Sequence, residues 1–438
     1  MDETFHPYGA SNKDPHVAVL SFPFSSHAMA LFMLVRRLTA SAAPNVMFSF
    51  FGTAKSNGMF FKNIDNDGLQ NLKFYDVEED GIPENYVSTP GKFEEEIELF
   101  MAATPWNFKK DEMGVPWLAF FIGEASGLAA HIYTDLIRST IGVGKNAVAG
   151  REDETLGFIP GMSSACIRDL QDGIIVGNLE STFASMLHRM GKMLPRATAV
   201  LINTYEEVNP TIIQDLNSKF QKCLSVAPFT LDYPPQSDSD TTGCLSWLDK
   251  QKPSSVAYIS FGTVAAAALP AHELEALAEG LEASGIPFLW SLKDKLKERL
   301  PVSFLNKTKE RGLIVPWAPQ MRVLQHTSVC VFMTQCGWSS VLESILAGVP
   351  VIGRPIFGDQ PLNGWSISDV LGIGIRIDNG IFTKDGVIKG LDLVLFKEEG
   401  KKIMEKVQAF KELANQAIET DGTSTRNFKT LLQIVSST

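Results

Sequence analysis

No run in this chain approaches the roughly eighteen consecutive apolar residues that a membrane-spanning helix needs. Basic residues are outnumbered, 39 Lys and Arg against 50 Asp and Glu, which leaves a formal charge of −11. Nucleic acids and anionic membranes both require basic surface, so neither is expected as a partner. Cysteine is scarce, and Cys166, Cys223, Cys244, Cys330 and Cys336 are odd in number and irregularly spaced. That argues against a disulfide framework and a CxxC metal knuckle, and it predicts reduced thiols in a reducing cytosol. The opening MDETFHPYGASNKDPH lacks the charged-then-apolar order of a secretion signal, so a cytoplasmic protein is expected. No G-x-G-x-x-G follows an early strand and no G-x-x-x-x-G-K-[ST] occurs anywhere. An NAD enzyme and a P-loop NTPase are therefore disfavoured.

What is present is a chain too long for one ordinary core. Its 438 residues, 45% of them hydrophobic and 20% charged, predict at least two globular domains. Short apolar runs alternate with helical patterns. VAVLSF (17–22) precedes a helix with Leu31, Leu34, Val35 and Leu38 on one face, and VMFSFF (46–51), PWLAFF (116–121) and TAVLIN (198–203) read as further strands. The segment LDYPPQSDSDTTG (231–243) breaks all periodicity and reads as an interdomain linker. The alternation then restarts with VAYISF (256–261) and a helix carrying Leu274, Leu277, Ala278 and Leu281 inward. IPFLW (286–290), LIV (313–315), VCVFM (329–333), PVIG (350–353) and GIRI (374–377) supply later strands. Continuous rather than alternating apolar strands predict parallel sheets covered on both faces. The expected fold class is α/β, with two doubly wound domains and ligands at the carboxyl ends of strands.

The stretch TQCGWSS, Thr334 to Ser340, joins VCVFM to a helix beginning near Trp338, with Val341, Leu342 and Ile345 inward and Gly348 closing it. It holds no cation. Gly337 permits close backbone approach, and Ser339 and Ser340 add hydroxyls beside the free N–H groups of the first turn. Such a helix start can receive phosphate without lysine, although a capped turn with no ligand has the same pattern.

The surrounding block WAPQMRVLQHTSVCVFMTQCGWSSVLESILAGVPVIGRPIFGDQ, Trp317 to Gln360, resembles the donor-binding signature of plant UDP-sugar-dependent glycosyltransferases. Outside it, HVAVLSFPFSSHA, NLESTFASMLHRMG, GCLSWLD, SVAYISFGTV and RPIFGDQPLNG resemble the branch that glucosylates flavonols and anthocyanidins at the 3-hydroxyl. The resemblance runs from His16 onward and implies two facing Rossmann-like domains (the GT-B fold), with the donor and acceptor cleft between them and no metal. It implies an acceptor domain over 1–230, a linker at 231–243, a donor domain over 244–418, and a terminal helix within 419–438 that packs back on the first domain. By the same resemblance Trp317 stacks on uracil, Ala318 and Gln320 address its edge, and Glu343 accepts from the ribose. Thr263, Gln335, Gly337, Ser339 and Ser340 surround the pyrophosphate, while Asp359 and Gln360 hold the sugar with Trp338 nearby. Gln360 is the residue that accompanies glucose, which implies UDP-glucose as co-substrate. Trp317 and Trp338 as interdomain packing, and Glu343 as an exposed helix residue, are the competing assignments.

His27, in FPFSSHA, is by the same resemblance the general base, with Ser26 near the donor and Phe22 and Phe24 near a flat acceptor. Glu94, His131, Gln171 and Phe183 are further acceptor candidates; a lone buried histidine with a purely structural role is the plainer alternative for His27. Two departures stand out. The family's HCGWNS reads QCGWSS, so Gln335 replaces a histidine and Ser339 an asparagine. The resemblance also implies an Asp holding the catalytic His, between NFKK and DEMGVPW, where Lys110 here runs directly into Asp111. A strand–helix unit of roughly thirty residues is thus expected to be lacking. Activity as a monomeric glucosyltransferase, a silent homologue that binds flavonoid or UDP, and a transferase acting on another phenol or a terpenoid all follow as expectations.

Overall fold

Among the described residues of a computed structural model there are twelve strands, most of them formed by the apolar runs, and every ladder between them is parallel. The structure describes residues 15–22, 25–54, 56–58, 70–76, 95, 97–98, 116–229, 240–377 and 380–437. The strands are β1 (His16–Leu20), β2 (Met47–Gly52), β3 (Leu72–Asp76), β4 (Leu118–Phe121), β5 (Ala199–Ile202) and β6 (Cys223–Ser225) in the first half. The second half holds β7 (Val256–Ser260), β8 (Phe288–Ser291), β9 (Gly312–Val315), β10 (Val329–Thr334), β11 (Val351–Gly353) and β12 (Gly374–Arg376). The helices that matter for the site are α1 (Ser25–Ser41), α2 (Ala125–Ile132), α3 (Thr182–Met193), α4 (Thr263–Ala268), α5 (Ala271–Ser284), α6 (Trp338–Ala347), α7 (Gln360–Trp365), α8 (Glu398–Ile418) and α9 (Thr423–Ser436). The tract 231–239 of the expected linker, and the Lys110–Asp111 junction, lie outside the described residues.

The second half is a six-stranded sheet in the order β12-β11-β10-β7-β8-β9. Sequence order reverses between β7 and β10, which is the switch point where doubly wound sheets open a crevice. Thr334 pairs with Ser260 at that point, so the turns leaving the two strands emerge side by side. One face is covered by α5, with Leu274, Leu277, Ala278 and Leu281 all buried, as their spacing predicts.

The first half differs from a continuous sheet. Its strands form two separate three-stranded sheets, β1-β2-β3 and β4-β5-β6. Among the described residues, β1 and β4 each pair on one side only. The consequence shows in burial: β5 is buried throughout, β4 is only partly buried, and Leu20 of β1 is 41% exposed. The expectation of strands covered on both faces therefore fails at these two edges.

A single buried cluster ties the halves together. It contains Ala28 and Phe32 of α1, Phe48 and Phe50 of β2, Leu201 of β5, Trp338 and Val341 of α6, Val407 of α8 and Leu431 of α9. The last helix is seated by polar contacts as well: Ser424 Oγ donates to Ala227 O at 2.6 Å and Asn427 Nδ2 donates to Ser225 O at 3.0 Å. Among the described residues no helix is long and apolar enough to cross a membrane.

Leu431 is fully buried in that shared cluster. Leu431→Ala is expected to lower stability by about 2–5 kcal/mol, the usual range for emptying a packed leucine site. Urea unfolding of the whole chain measures it, and an unchanged midpoint would show that α9 contributes little to the core.

Candidate functional site

The anion cradle begins with two glycine-led helix starts at the switch point. Gly262, with φ of 64°, leads into α4, and Gly337 leads into α6 without a side-chain cap, so the first-turn amides of α6 face outward. Cys336 adopts a left-handed φ of 67° with its thiol fully buried, a conformation that costs an L-residue roughly 1–2 kcal/mol. Gly353 makes room for that thiol: a Cβ there would lie 2.5 Å from Sγ. Thr334 Oγ1 donates to Gln335 Oε1 at 3.0 Å, which turns the Gln335 Nε2 toward the cradle. Nε2 lies 3.2 Å and 3.0 Å from where Cβ atoms on Gly262 and Gly337 would sit, so either glycine would obstruct it if enlarged. The result is a set of neutral N–H donors converging on one place.

Beside the cradle, Glu343 is held by Gln320. Gln320 Nε2 donates to Glu343 Oε2 at 2.7 Å and to Ser340 Oγ at 2.9 Å, so both its amide hydrogens are occupied. In this arrangement the Gln320 side chain orients Glu343. Burial pushes the Glu343 carboxyl above the usual range, and the bond from Gln320 opposes that shift. Trp317 lies 46% exposed just after β9, as a flat surface must to receive a ring. Ala318 is buried.

Trp338 takes its competing assignment. Its ring is buried in the shared cluster and its Nε1 donates to Asn203 O at 2.7 Å, joining the two halves. The indole is a strut between the halves.

At the far end of the arc, Gln360 Oε1 accepts from Ile356 N at 2.9 Å and Phe357 N at 3.1 Å. That closes the turn and frees Nε2 as a donor. Asn363, fully buried one helical turn on, donates to Asp359 Oδ2 at 3.1 Å and to Cys336 O at 2.9 Å. It links the cradle turn to Asp359, whose carboxyl is raised by burial.

On the facing half, Phe22 lies 5.5 Å from the His27 ring. Ala28, next in the chain, shares the buried cluster with Trp338, which brings the starts of α1 and α6 to one core. Burial lowers the His27 pKa to about 4, and that of His131 likewise to about 4. His131 lies in α2, edge-on to Phe121 at 6.3 Å. Gln171 is buried, and Phe183 is partly buried in α3, which packs on α2. Phe24, Glu94 and the side chains of Ser26 and Thr263 lie outside the described residues. Asn363, Asn203 and Glu124 were not foreseen; Asn363 alone left a trace, four residues after Asp359 on a helix.

This arc offers neutral N–H donors for an anion, carboxylates for hydroxyl groups and an exposed ring for stacking; on the other half of the molecule, burial keeps the His27 imidazole neutral. Residues 131–412 match the family model of UDP-glucoronosyl and UDP-glucosyl transferases. The chain is 48% identical to an anthocyanidin 3-O-glucosyltransferase of Vitis vinifera, with 97% of this chain and 98% of that protein covered. It is also 48% identical to an anthocyanidin 3-O-galactosyltransferase of Rhododendron delavayi, with 97% and 98% covered. The first of these alignments runs over 452 positions, more than the 438 residues of the whole chain, so the relative carries residues with no counterpart here. A solved UDP-glucose: anthocyanidin 3-O-glucosyltransferase in complex with UDP superposes with a TM-score of 0.85 at 36% identity, covering 97% of this chain and 100% of that one. The two parallel-sheet halves are those of the GT-B fold, and the chain belongs to the UDP-glucoronosyl and UDP-glucosyl transferase family.

Proposed function

We propose that the protein transfers glucose from UDP-glucose to the 3-hydroxyl of a flavonol or anthocyanidin, with inversion, as a cytoplasmic monomer. The observation that carries this reading is the convergence of Gln335 Nε2 and the uncapped start of α6 on one glycine-lined cradle, beside Glu343. The relatives' printed activities supply the substrate class. In this reading the diphosphate rests on the N–H donors, which need no metal to neutralise it. Uracil lies against Trp317, the ribose diol donates to Glu343, and Asp359 and Gln360 hold the sugar. His27 takes the acceptor's hydroxyl proton as that oxygen bonds to the anomeric carbon. The bond from that carbon to the phosphate oxygen breaks, and UDP leaves with the electron pair. Phe22, His131, Gln171 and Phe183 form the walls for the flat acceptor.

A second reading has specific support. β1 and β4 stand as separate edges, and the Vitis relative carries residues this chain lacks. If the lacking unit bears the residue that orients His27, turnover drops steeply. In the serine-protease triad, loss of the orienting Asp lowers kcat about 10⁴-fold. The protein would then bind UDP or flavonoid without transfer. The two readings share the donor site and differ only in the base.

Purified protein with UDP-glucose and quercetin or cyanidin is expected to yield a 3-O-glucoside, undiminished by EDTA. Absence of both product and donor consumption, with UDP still bound in calorimetry, would favour the silent homologue. Activity regained on grafting the relative's extra segment at Lys110–Asp111 would then locate the defect.

Because burial holds His27 near 4, its imidazole stays neutral through the mildly acidic range. The acid limb of kcat/KM is therefore expected near pH 4 rather than near the ordinary value of about 6.5. Stability moves the same way: the unfolded chain binds these histidine protons first, so stability falls as pH drops from about 6.5 toward 4. Circular dichroism at each pH separates unfolding from titration, and an acid limb near 6.5 in folded protein would mean that burial does not hold the pKa of the base down. Gln335→His restores a chargeable donor and should tighten UDP binding about tenfold below pH 6. Calorimetry showing weaker or equal binding there would mean that Gln335 does not face the phosphates.

A further inference from the structure

Glu124 is the residue ahead of α2, and its side chain is fully buried. Its Oε2 accepts from Ser126 N at 2.5 Å, as an N-cap does. Its Oε1 is also buried and has no hydrogen-bond partner among the described residues. A dehydrated acceptor left unpaired is costly, and a donor that arrives with a ligand would relieve it.

The neighbourhood says which ligand. A Cβ on Gly123 would lie 3.0 Å from Asp359 Oδ2, and one on Gly127 would lie 3.7 Å from Asp359 Cβ. The turn carrying Glu124 therefore abuts the head of α7 from the opposite half of the molecule. Asn363 Oδ1, beside Asp359, is a second buried acceptor with no partner among the described residues. Burial raises the Glu124 carboxyl, the neighbouring donors of Ser126 and Ala125 oppose that shift, and the nearby Asp359 charge adds to it. Several acceptors thus converge where the proposed donor sugar would lie. An uncharged polyol answers all of them through its hydroxyl groups; an anion answers none.

We propose that Glu124 reads the donor sugar: its unpaired oxygen accepts from a hydroxyl of the hexose held by Asp359 and Gln360, and its charge excludes sugars that carry a carboxylate. This rests on the UDP-sugar reading above and extends it. The family description spans glucoronosyl and glucosyl donors, so sugar charge is open at family level. A uronic acid would place a further carboxylate beside Glu124 and Asp359, a repulsive element that selects by exclusion.

The test is calorimetry on the full chain without acceptor, using UDP, UDP-glucose and UDP-glucuronic acid. The unaltered protein should bind UDP-glucose at least about tenfold more tightly than UDP-glucuronic acid. Equal binding overturns the proposal and needs no variant. Glu124→Gln keeps an oxygen for Ser126 N, so the cap survives. It should leave UDP binding unchanged, weaken UDP-glucose about tenfold, and narrow the gap to UDP-glucuronic acid. A merely structural role would instead weaken UDP and UDP-glucose in step and lower the melting temperature, and that outcome overturns the proposal. So does UDP-glucose affinity identical in the variant and the parent. If the parent binds neither UDP nor UDP-glucose, the donor reading itself is lost and this inference goes with it.

Discussion

The pairing of Thr334 with Ser260 is the constraint on which the site depends. β10 is buried along its whole length between β7 and β11, so it has no freedom to slide or to end elsewhere. Because strand order reverses there, the turns after β7 and β10 have no helix crossing between them, and their glycines can face one another. Gln335 is then placed by default between Gly262 and Gly337. The left-handed Cys336 is the local strain that bends the chain from β10 into α6. It is affordable because Gly353 on the adjacent strand leaves space for the sulfur, and because the surrounding sheet is fixed.

That cradle would be half a site without the seam between the halves. Trp338 begins α6 and reaches across to Asn203, which itself donates to Ile122 O just after β4. Farther along, Arg376 pairs with Asp169 at 2.6 Å and Trp365 Nε1 donates to Ser164 Oγ at 3.1 Å. The Trp338–Asn203, Arg376–Asp169 and Trp365–Ser164 contacts each join a residue of the first half to one of the second. Together with α9 seated against β6, they make the relative placement of the halves part of the core rather than a hinge between two independent bodies. The same residues that begin the anion-binding helix therefore also set its distance from the imidazole side.

The parts of this arrangement that were legible in the sequence are local ones. Apolar runs gave the strands because buried parallel strands have no polar face, and the helix spacing of Leu274, Leu277, Ala278 and Leu281 matched their burial. β3 escaped because LKFYD is a short edge strand that mixes polar and apolar residues, and β6 because three residues carry no period. The contiguous block from Trp317 to Gln360 was readable because one strand–turn–helix holds most of its chemistry. What could not be read are partners distant in the chain. Nothing in the local pattern around Trp338 tells that its indole meets a carbonyl 135 residues away, and nothing around Glu124 tells that it lies against Asp359. Nor does the local pattern around Gln320 tell that its amide hydrogens go to Glu343 and Ser340.

For an acidic chain, the proposed binding of a diphosphate poses an electrostatic problem, and the layout answers it by separation. The N–H donors of Gln335 and of the start of α6 cluster at the switch point. Glu343, Asp359 and Glu124 stand apart from them, with a side-chain amide, that of Gln320 or of the buried Asn363, bound to two of the three. In a low-dielectric cleft neither set can be exchanged for the other without a large penalty: phosphate against a carboxylate is repelled, and a hydroxyl against an amide hydrogen leaves the carboxylate unanswered. A ligand with its negative charge between two hydroxyl-bearing flanks matches that order of donors and acceptors. In the proposed reading, the departure at Gln335 weakens the grip on the charge and leaves the acceptors on either side in place.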